Sequence, residues 1–482
     1  MAVSGERPHL FACVAMPAGV AANRIMEPGP AASARPMTRR QWVTLLTFGL
    51  VDFWSAVCLS LQAPLFPSEA AKKGATASEY GLIFGTFELT KFIVCPLLGR
   101  YLHKIGPKVV FNGGIFITSS CAIAYGILDV FSDTAPFLVS CFVVRTIEAC
   151  GYASFLTASF TIIAKEFPDN VATTFASLET FFGVGLIVGP MVGGALYQVG
   201  GYTLPFVTLG SILFGTALLT LFVLPNHKEQ IDVGERKGGI RRALAVPDIA
   251  MAAFSITCAS CSNGFIVVLL EPHLRPFGLS PVLLGLMFVI TGAVYATCAP
   301  LWGWLCDRHV RPKQATAAGA LLVAAGFSLL GPAPFLPLQP SLGVIAAALA
   351  LHGVGFGAEV VAAFLDAHRA AIRSGFPDTV ETYGTISGLW ASMFALGAFV
   401  GPCLAGLLYD HFGFGYASLM IIVVHMVLFV AVMVFLCLPD RAIPEPVSSA
   451  PPLPDEKSPL IYSDLCDRHD AYGVQGTDNR LW

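Results

Sequence analysis

The stretch PLLGRYLHK at positions 96–104 recurs as PLWGWLCDR at positions 300–308, which is 204 residues later. A second stretch, GLIVGP at 185–190, recurs as GAFVGP at 397–402, which is 212 residues later. The two separations are nearly equal, so the matches keep the same order and spacing along the chain. This pattern indicates that the chain consists of two similar halves.

A third match supports the repeat, because Ala63-Pro64 pairs with Glu271-Pro272 at a separation of 208 residues. The composition around these matches is that of an integral membrane protein. Of the 482 residues, 55% are hydrophobic and 12% are charged, about half the roughly 25% usual for soluble chains. A soluble domain could not cover that much apolar surface with so few charges. The net charge of −3 offers no basic face, so we expect no nucleic-acid partner.

Twelve apolar runs lie between residues 41 and 438, and a helix that crosses a bilayer needs about 20 residues. The predicted spans are 41–66, 79–99, 109–130, 136–163, 172–198, 203–224, 248–270, 279–302, 314–335, 342–366, 383–409 and 415–438. We therefore predict an all-α membrane protein with six helices in each of two pseudo-symmetric halves. The predicted regions are a disordered cytosolic extension (1–40), the N-terminal half (41–224), a cytosolic loop (225–247), the C-terminal half (248–438) and a disordered cytosolic tail (439–482).

The positions of the basic residues predict the orientation. Of 28 Lys and Arg, only Lys91 and Arg145 fall within spans. If the N-terminus is cytosolic, 23 of the others lie inside and 3 outside (Lys72, Lys73 and Arg275). This asymmetry is what the positive-inside rule requires, so we expect both termini in the cytosol.

The repeated loops and one helix resemble motifs of the major facilitator superfamily. Residues 99–104 and 303–308 resemble its charged turn, which latches neighbouring helices, although His103 stands where the family usually has Asp. The pattern at 185–194 resembles its antiporter motif, in which small residues allow close packing and proline permits a bend. Plain small-residue packing remains an alternative for this helix. The predicted gating residues are Gly99, Lys104, Gly303, Asp307, Arg308, Gly185, Gly189, Pro190, Gly193 and Gly194.

Longer stretches resemble the vesicular amine transporter family, in particular its polyamine branch. They are KEFPDNVAT at 165–173, SLETF at 177–181, APLFPSEA at 63–70 and KKGA at 72–75. The resemblance implies exchange of luminal protons for cytosolic spermine or spermidine, driven by the proton gradient and without a cofactor. No nucleophile–base pair, metal cluster or nucleotide-binding loop is evident in the sequence, so we expect no enzyme.

Ionisable residues within membrane spans are costly and usually functional. Asp52 and Ser55 share a face of the first span, where Asp52 is predicted to bind substrate or protons. Glu271 precedes Pro272, which leaves a backbone carbonyl without its helical hydrogen bond. That carbonyl and the Glu271 carboxylate provide two acceptors for an ammonium group. The alternatives are a helix-interface acid for Asp52 and a carboxylate reached by water at the membrane interface for Glu271.

Two further positions complete the predicted substrate site. Glu359 lies in the glycine-rich stretch GVGFGAE, with His352 on the same face as a candidate proton relay or a merely hydrogen-bonded histidine. Trp390 offers a cation–π contact or simple aromatic packing. Vesicular monoamine transporters have an acid near position 391, and Ala391 here counts against monoamines.

Proton coupling is predicted for Glu271 and Asp52, with three further residues as candidates. Arg145 and Glu148 stand one turn apart and can neutralise each other, either as a coupling motif or as a structural pair. Glu179 precedes the antiporter motif. Several acids facing one cavity suit a small organic polycation better than a monoamine. The alternatives are a vesicular monoamine or multidrug/proton antiporter, or a non-transporting membrane receptor or scaffold.

The tail carries two short patterns that resemble sorting motifs. Glu456 precedes Leu460-Ile461 by four positions, and Tyr462 precedes Leu465 by three. Such motifs are addresses read by receptors, so we expect clathrin-adaptor complexes as partners. The predicted location is an acidic secretory or synaptic-like vesicle.

Overall fold

The computed structural model describes residues 37–167, 171–223, 239–331, 336, 339–377 and 380–437, and they are almost entirely helical. The helices are α1 (Arg39–Ser60), α2 (Gln62–Lys72), α3 (Ala77–Ile105), α4 (Pro107–Ile127), α5 (Thr134–Glu166), α6 (Val171–Gly200), α7 (Thr203–Val223), α8 (Gly239–Leu244), α9 (Pro247–Leu274), α10 (Pro281–Arg308), α11 (Pro312–Leu330), α12 (Leu342–Arg373) and α13 (Val380–Cys437). Short 3-10 helices follow α4 at Leu128–Val130 and α9 at Arg275–Phe277.

The structure confirms the predicted all-α membrane fold. Within the described residues, eleven helical segments are long and apolar enough to cross a membrane, and α1 with α2 forms one of them, Arg39–Lys72. The last segment, Thr382–Cys437, has 56 residues, which is about 84 Å of helix and far more than one crossing needs. Gly413 interrupts it with a φ of 76° and a ψ of 176°. The helices before and after Gly413 therefore provide two crossings, which brings the number to the predicted twelve.

Helix boundaries follow from local sequence. Thr38 and Thr76 cap α1 and α3, and each exchanges hydrogen bonds with the third residue of its helix, Gln41 or Glu79. Gly106, at a φ of 95°, separates α3 from α4 because glycine adopts this backbone conformation without strain. Short turns of this kind force consecutive spans to run in opposite directions.

This alternation gives the bundle two distinct ends. Arg40, Lys313 and Arg369 lie at one end, which we term the basic end. Lys72 and Asp410 lie at the other, which we term the α2 end. The chain segments 1–36, 224–238 and 438–482 are outside the described residues, so these parts of the predicted extension, central loop and tail remain predictions. The described end of the predicted central loop forms α8.

In each half, glycines allow two helices to pack closely, and the contacts are equivalent in the two halves. A side chain at Gly185 or Gly189 of α6 would collide with the carbonyl oxygen of Phe53 or Val57 on α1. In the second half, Gly397 and Gly401 of α13 meet the carbonyl oxygens of Thr257 and Cys261 on α9. The glycines are 212 residues apart and their carbonyl partners 204 apart. The contacts therefore align α1 with α9 at a separation of 204 residues. The predicted match of Ala63-Pro64 with Glu271-Pro272, at a separation of 208, is wrong by four residues, which is about one helical turn.

The two halves meet at the α2 end through a second symmetric set of glycines. Gly194 of α6 touches the carbonyl of Pro281, the first residue of α10, and Gly406 of α13 touches that of Ala77, the first residue of α3. Gly285 and Gly81 meet the carbonyls of the helix prolines, Pro190 and Pro402. Both interfaces between the halves are thus packed backbone against backbone at this end.

Candidate functional site

Two carboxylates lie close together in the middle of the N-terminal half. Asp52 on α1 and Glu179 on α6 are near enough to repel each other electrostatically. Neither forms an ion pair with any residue that the structure describes, and both are partly exposed. Such a pair is costly within a membrane protein unless a cation or protons neutralise it.

Close helix packing is what brings these acids together. Gly49, one turn before Asp52, lies against the ring of Phe181, and Gly185 lies against the backbone of Phe53. Asp52 and Glu179 stand beside these two contacts, so the spacing between α1 and α6 sets the spacing of their carboxylates. The glycines of the antiporter-like motif therefore position the acids as well as packing the helices.

Three more side chains complete what we term the central acidic site: Glu88, Tyr152 and Tyr383. The Tyr152 hydroxyl on α5 is within electrostatic range of Asp52, Glu179 and Glu88. Glu88 on α3 forms an ion pair with Lys91 at 2.6 Å, and the Lys91 ammonium lies 5.6 Å from the centre of the Tyr152 ring. The site therefore combines three acids with one internal cation and remains negatively charged when its acids are ionised.

The C-terminal half contributes a tyrosine to this site. Tyr383 on α13 is within electrostatic range of Glu179 and hydrogen-bonds Ser387. Its ring packs on Phe364 and His368, with centroids 5.4 and 5.8 Å away. Trp390, seven residues further along α13, stacks on Phe394 at 5.4 Å. The structure thus places Trp390 on an aromatic cluster of this half, where packing accounts for its position.

Glu271 lies apart from the central acidic site, at the α2 end. Its side chain is 4% exposed and forms a bidentate pair with Arg275, with oxygen–nitrogen distances of 3.1 and 2.7 Å. Arg275 is half exposed, as expected for a residue at a membrane boundary. The prediction that Glu271 shares a cavity with Asp52 is therefore wrong for this conformation, because the carboxylate faces Arg275 four residues later.

Glu359 also lies apart from Asp52, contrary to the prediction of one shared cavity. It is fully buried on α12, where its side chain touches Gly319 of α11 and faces His425 on α13, with Oε2 and Nε2 3.4 Å apart. His352 does not contact it and instead bonds Ser262 at 3.0 Å. The glycines around Glu359 bring neighbouring helices close, and they do not open the carboxylate to a ligand.

Two of the remaining predicted residues, Arg145 and Glu148, pair with each other. Arg145 and Glu148 form an ion pair at 2.8 Å with both side chains 2% exposed, and the Arg145 guanidinium lies 4.4 Å from the centre of the Phe87 ring. Glu148 also accepts a bond from Gln62 at 3.5 Å. Ser55 is buried, whereas Asp52 on the same helix is partly exposed.

The charged turn of the C-terminal half joins two helices through an ion pair. Asp307 pairs with Arg369 of α12 at 2.8 Å, and Arg369 also donates to the carbonyl of Cys306. Gly303 is buried in α10, whereas Arg308 is exposed beside the ring of Trp304. In the first half, Lys104 lies over the ring of Tyr101, and Gly99 is described only as part of α3.

Four residues in or near these sites are not predicted from the sequence: Glu88, Tyr152, Asp410 and His425. Glu88 stands three residues before Lys91, a spacing that indicates a structural ion pair, and a tyrosine in an apolar helix carries no distinctive pattern. Asp410 contacts the start of α3, and His425 faces Glu359, only through long-range packing. The predicted sorting residues (Glu456, Leu460, Ile461, Tyr462 and Leu465) lie beyond the part of the chain that the structure describes.

Twelve crossings in two pseudo-symmetric halves, with acids in the bundle centre, define a secondary transporter rather than an enzyme. The model of the Major Facilitator Superfamily matches residues 48–371 and 252–471. The human MFS-type transporter SLC18B1 is 37% identical over 398 residues, which cover 81% of this chain and 86% of that protein. The chain therefore belongs to the Major Facilitator Superfamily and, within it, to the family of the SLC18B1 transporters.

More distant comparisons agree with this family. The bovine synaptic vesicular amine transporter is 24% identical over 398 residues, which cover 80% of this chain and 69% of that protein. A bacterial homologue of the human lysosomal transporter Spinster, solved in an inward-facing and occupied conformation, superposes with a TM-score of 0.64. It is 15% identical and covers 83% of this chain and 95% of its own, so this likeness supports the fold alone.

Proposed function

We propose that this protein exchanges protons for cytosolic polyamines and loads spermine and spermidine into acidic secretory vesicles. The observation that carries the proposal is the proximity of Asp52 and Glu179. Both carboxylates are partly exposed, and neither has a cationic partner among the described residues. A polyamine presents several ammonium groups at fixed spacing, which suits a site with several acids. Charge-assisted hydrogen bonds to ammonium groups are among the strongest polar contacts.

The packing of the halves supports a conformation that is open toward the basic end. The glycine contacts between α6 and α10, and between α3 and α13, close the α2 end. The excess of Lys and Arg supports a cytosolic location for the basic end. A cytosolic polyamine would therefore reach Asp52, Glu179 and Tyr383 from the basic end in this conformation.

Glu271 is proposed to act later in the cycle, when the α2 end opens. Its carboxylate is engaged by Arg275 in the closed state, so a substrate ammonium must displace that guanidinium. The half-exposed Arg275 side chain can move away without leaving a buried unpaired cation. In this account Arg275 competes with the substrate and favours its release toward the vesicle lumen.

Protons complete the exchange. In a low-dielectric site a neutral carboxyl group is favoured over an unpaired carboxylate, so luminal protons can replace the departing cation at the acids. The protein then returns to the opening at the basic end with neutral carboxyl groups. Binding of the next polyamine releases these protons to the cytosol, and no cofactor is required.

A monoamine or multidrug/proton antiporter of the same fold is the principal alternative. Ala391 lacks the acid that the monoamine members carry in this helix, which favours polyamines. A non-transporting receptor or scaffold is the alternative from another class, and it leaves the unpaired acids of the central site without a role. The proposed sorting residues of the tail would direct the transporter to acidic vesicles through clathrin adaptors.

Reconstituted full-length protein tests the proposal. Liposomes with an acidic interior should accumulate radiolabelled spermidine, and collapse of the pH gradient should abolish the uptake. Excess unlabelled spermine should inhibit this uptake more strongly than serotonin or dopamine does. Stronger inhibition by the monoamines would favour the monoamine alternative, and the absence of any substrate-dependent proton flux would favour a receptor.

A further inference from the structure

A buried pair of titratable side chains lies in the C-terminal half, away from the central acidic site. Glu359 on α12 and His425 on α13 are both 0% exposed, and their facing atoms, Oε2 and Nε2, are 3.4 Å apart. His425 is in the helix that follows Gly413, so the pair joins two membrane crossings. Neither residue belongs to the charged turn or to the packing glycines.

The hydrogen bonds of His425 show where its protons must be. Its Nδ1 lies 2.8 Å from the carbonyl oxygen of Ile421, which can only accept a hydrogen bond, so Nδ1 carries a hydrogen. In a neutral imidazole the other nitrogen, Nε2, then has a lone pair and no hydrogen. That lone pair would face a Glu359 oxygen, which is repulsive unless a proton lies on one of the two groups. A hydrogen bond between Glu359 and His425 therefore forms only when the pair binds one additional proton.

A second histidine beside this pair is also poised as a proton acceptor. Ser262 donates to the carbonyl of Ala259 at 2.7 Å, so its oxygen accepts from Nε2 of His352 at 3.0 Å. With its hydrogen on Nε2, neutral His352 has a free lone pair on Nδ1. This atom has no hydrogen-bond partner among the described residues, nor have His425 Nε2 and either Glu359 oxygen. Four buried polar atoms in this condition indicate a site for a proton or water rather than a completed structural network.

Other titratable groups around the pair are few. Cys258 on α9 is within electrostatic range of Glu359, and Cys261 is within range of Cys258. His352 on α12 is within range of His425. From α11, the glycine backbone at Gly319 faces Glu359. No Lys or Arg is described in contact with the pair, so a proton is the charge that can neutralise Glu359.

We propose that Glu359 and His425 form a proton-binding site, distinct from the central acidic site, that couples the proton gradient to transport. It rests on the proposed function, because a coupling site needs a transported substrate. The acids of the N-terminal half hold the substrate cation and the protons that replace it, and the C-terminal half holds a further coupling proton. Rocking of the halves exposes the two sites together, although they do not touch.

The test compares two conservative variants with a matched control in proteoliposomes. Glu359→Gln retains the side-chain volume, and His425→Asn retains a donor for the Ile421 carbonyl. His273→Gln is the control, because His273 bonds the Leu330 carbonyl through Nε2 at 2.8 Å and forms no described ion pair with a carboxylate. Spermidine counterflow, which needs no net proton movement, is measured beside uptake driven by a pH gradient.

Both site variants should lose gradient-driven uptake by about tenfold or more while counterflow stays within about twofold of wild type. The control should retain both activities. Unchanged gradient-driven uptake and proton flux in the two variants would overturn the proposal, and so would a parallel loss of both activities. Absence of counterflow in the wild type would instead reject polyamine transport itself.

The protonation of Glu359 can also be measured directly, without any substrate. Difference infrared spectroscopy of the purified full-length protein, after a pH jump, should show a carboxyl band that disappears in Glu359→Gln and shifts in His425→Asn. The band should persist in Asp52→Asn, which alters only the central acidic site. A spectrum unaffected by both Glu359→Gln and His425→Asn would overturn the proton site even if polyamine transport were established.

Discussion

Asp410 of the C-terminal half accepts three hydrogen bonds from the first turn of α3 in the N-terminal half. Ser78 donates from its amide at 2.7 Å and from its hydroxyl at 2.5 Å, and the Ala77 amide donates at 3.0 Å. A carboxylate at a helix N-terminus is favoured by the free amides and by the helix dipole. The pseudo-symmetric interface has Gln198 and Val282 at the corresponding positions. Among the described residues, these hydrogen bonds, which we term the Asp410 latch, occur at one of two otherwise similar interfaces.

Asp410→Asn should weaken the closure of the α2 end. Loss of the charged acceptor should shift the protein toward opening at that end by about fivefold to tenfold, because charge-assisted bonds are stronger than neutral ones. The shift can be measured by spin-label distances between α3 and the helix before Gly413.

Asp133→Asn is the matched control for this prediction. Asp133 precedes α5 at the same end and makes no side-chain capping bond to it. Its replacement should leave the distance distribution unchanged. Equal shifts in the two variants would show that surface charge, and not the latch, controls the closure.

Arg275→Gln should separate substrate affinity from turnover. Without the guanidinium, Glu271 is free for the substrate, so spermidine should bind about threefold to tenfold more tightly and leave more slowly. Uptake assays should show a lower KM and a lower maximal rate, and Arg275→Lys should restore much of the rate.

Lys72→Gln provides the comparison for Arg275. Lys72 is also exposed at the α2 end and pairs with Glu69 at 3.0 Å. Its removal should change neither KM nor the maximal rate beyond about twofold, since Lys72 pairs with Glu69 and not with Glu271. If Arg275→Gln behaves in the same way, Arg275 does not compete with the substrate.

Gly189→Ala and Gly401→Ala should destabilise the two halves to a similar extent. A methyl group would strike Ser60 and the Val57 carbonyl in the first case, and the Cys261 backbone in the second. We expect a loss of about 1–3 kcal/mol for each, visible as a lower melting temperature of the purified protein.

The chain contains a suitable control for this effect. A side chain added at Gly215 of α7 would meet open space, so Gly215→Ala should leave the stability unchanged or slightly higher. A similar loss in all three variants would contradict the packing role of the two motif glycines.

Replacement of Leu460, Ile461, Tyr462 and Leu465 by alanine should move the protein from vesicles to the cell surface. Adaptor proteins read such short patterns as addresses, so the tail should act without altering transport. Surface labelling of a tagged variant measures the redistribution. Vesicular location equal to that of the parent chain would place the address elsewhere.

The sequence alone predicted most of the fold because its evidence is local or repeated. Apolar run lengths gave the twelve crossings, and the glycines of 185–194 identified a packing face. Asp52 was found because an acid in an apolar span is conspicuous. The side-chain partners of Glu271 and Glu359 cannot be predicted, since Arg275 lies in a predicted loop and His425 is 66 residues from Glu359. The separation between α1 and α9 in the repeat, 204 or 208 residues, is likewise determined only by the helix contacts.

Binding of spermidine to the purified full-length protein tests the central claim most directly. Asp52→Asn and Glu179→Gln should each weaken binding by about tenfold, because each removes one charged acceptor from the site. Butylamine, with a single ammonium group, should lose less affinity than spermidine in the double variant. Glu79→Gln, which retains a capping side chain at the start of α3, should bind both amines as wild type does. Unchanged spermidine affinity in the Asp52 and Glu179 variants would contradict the central acidic site as the polyamine site.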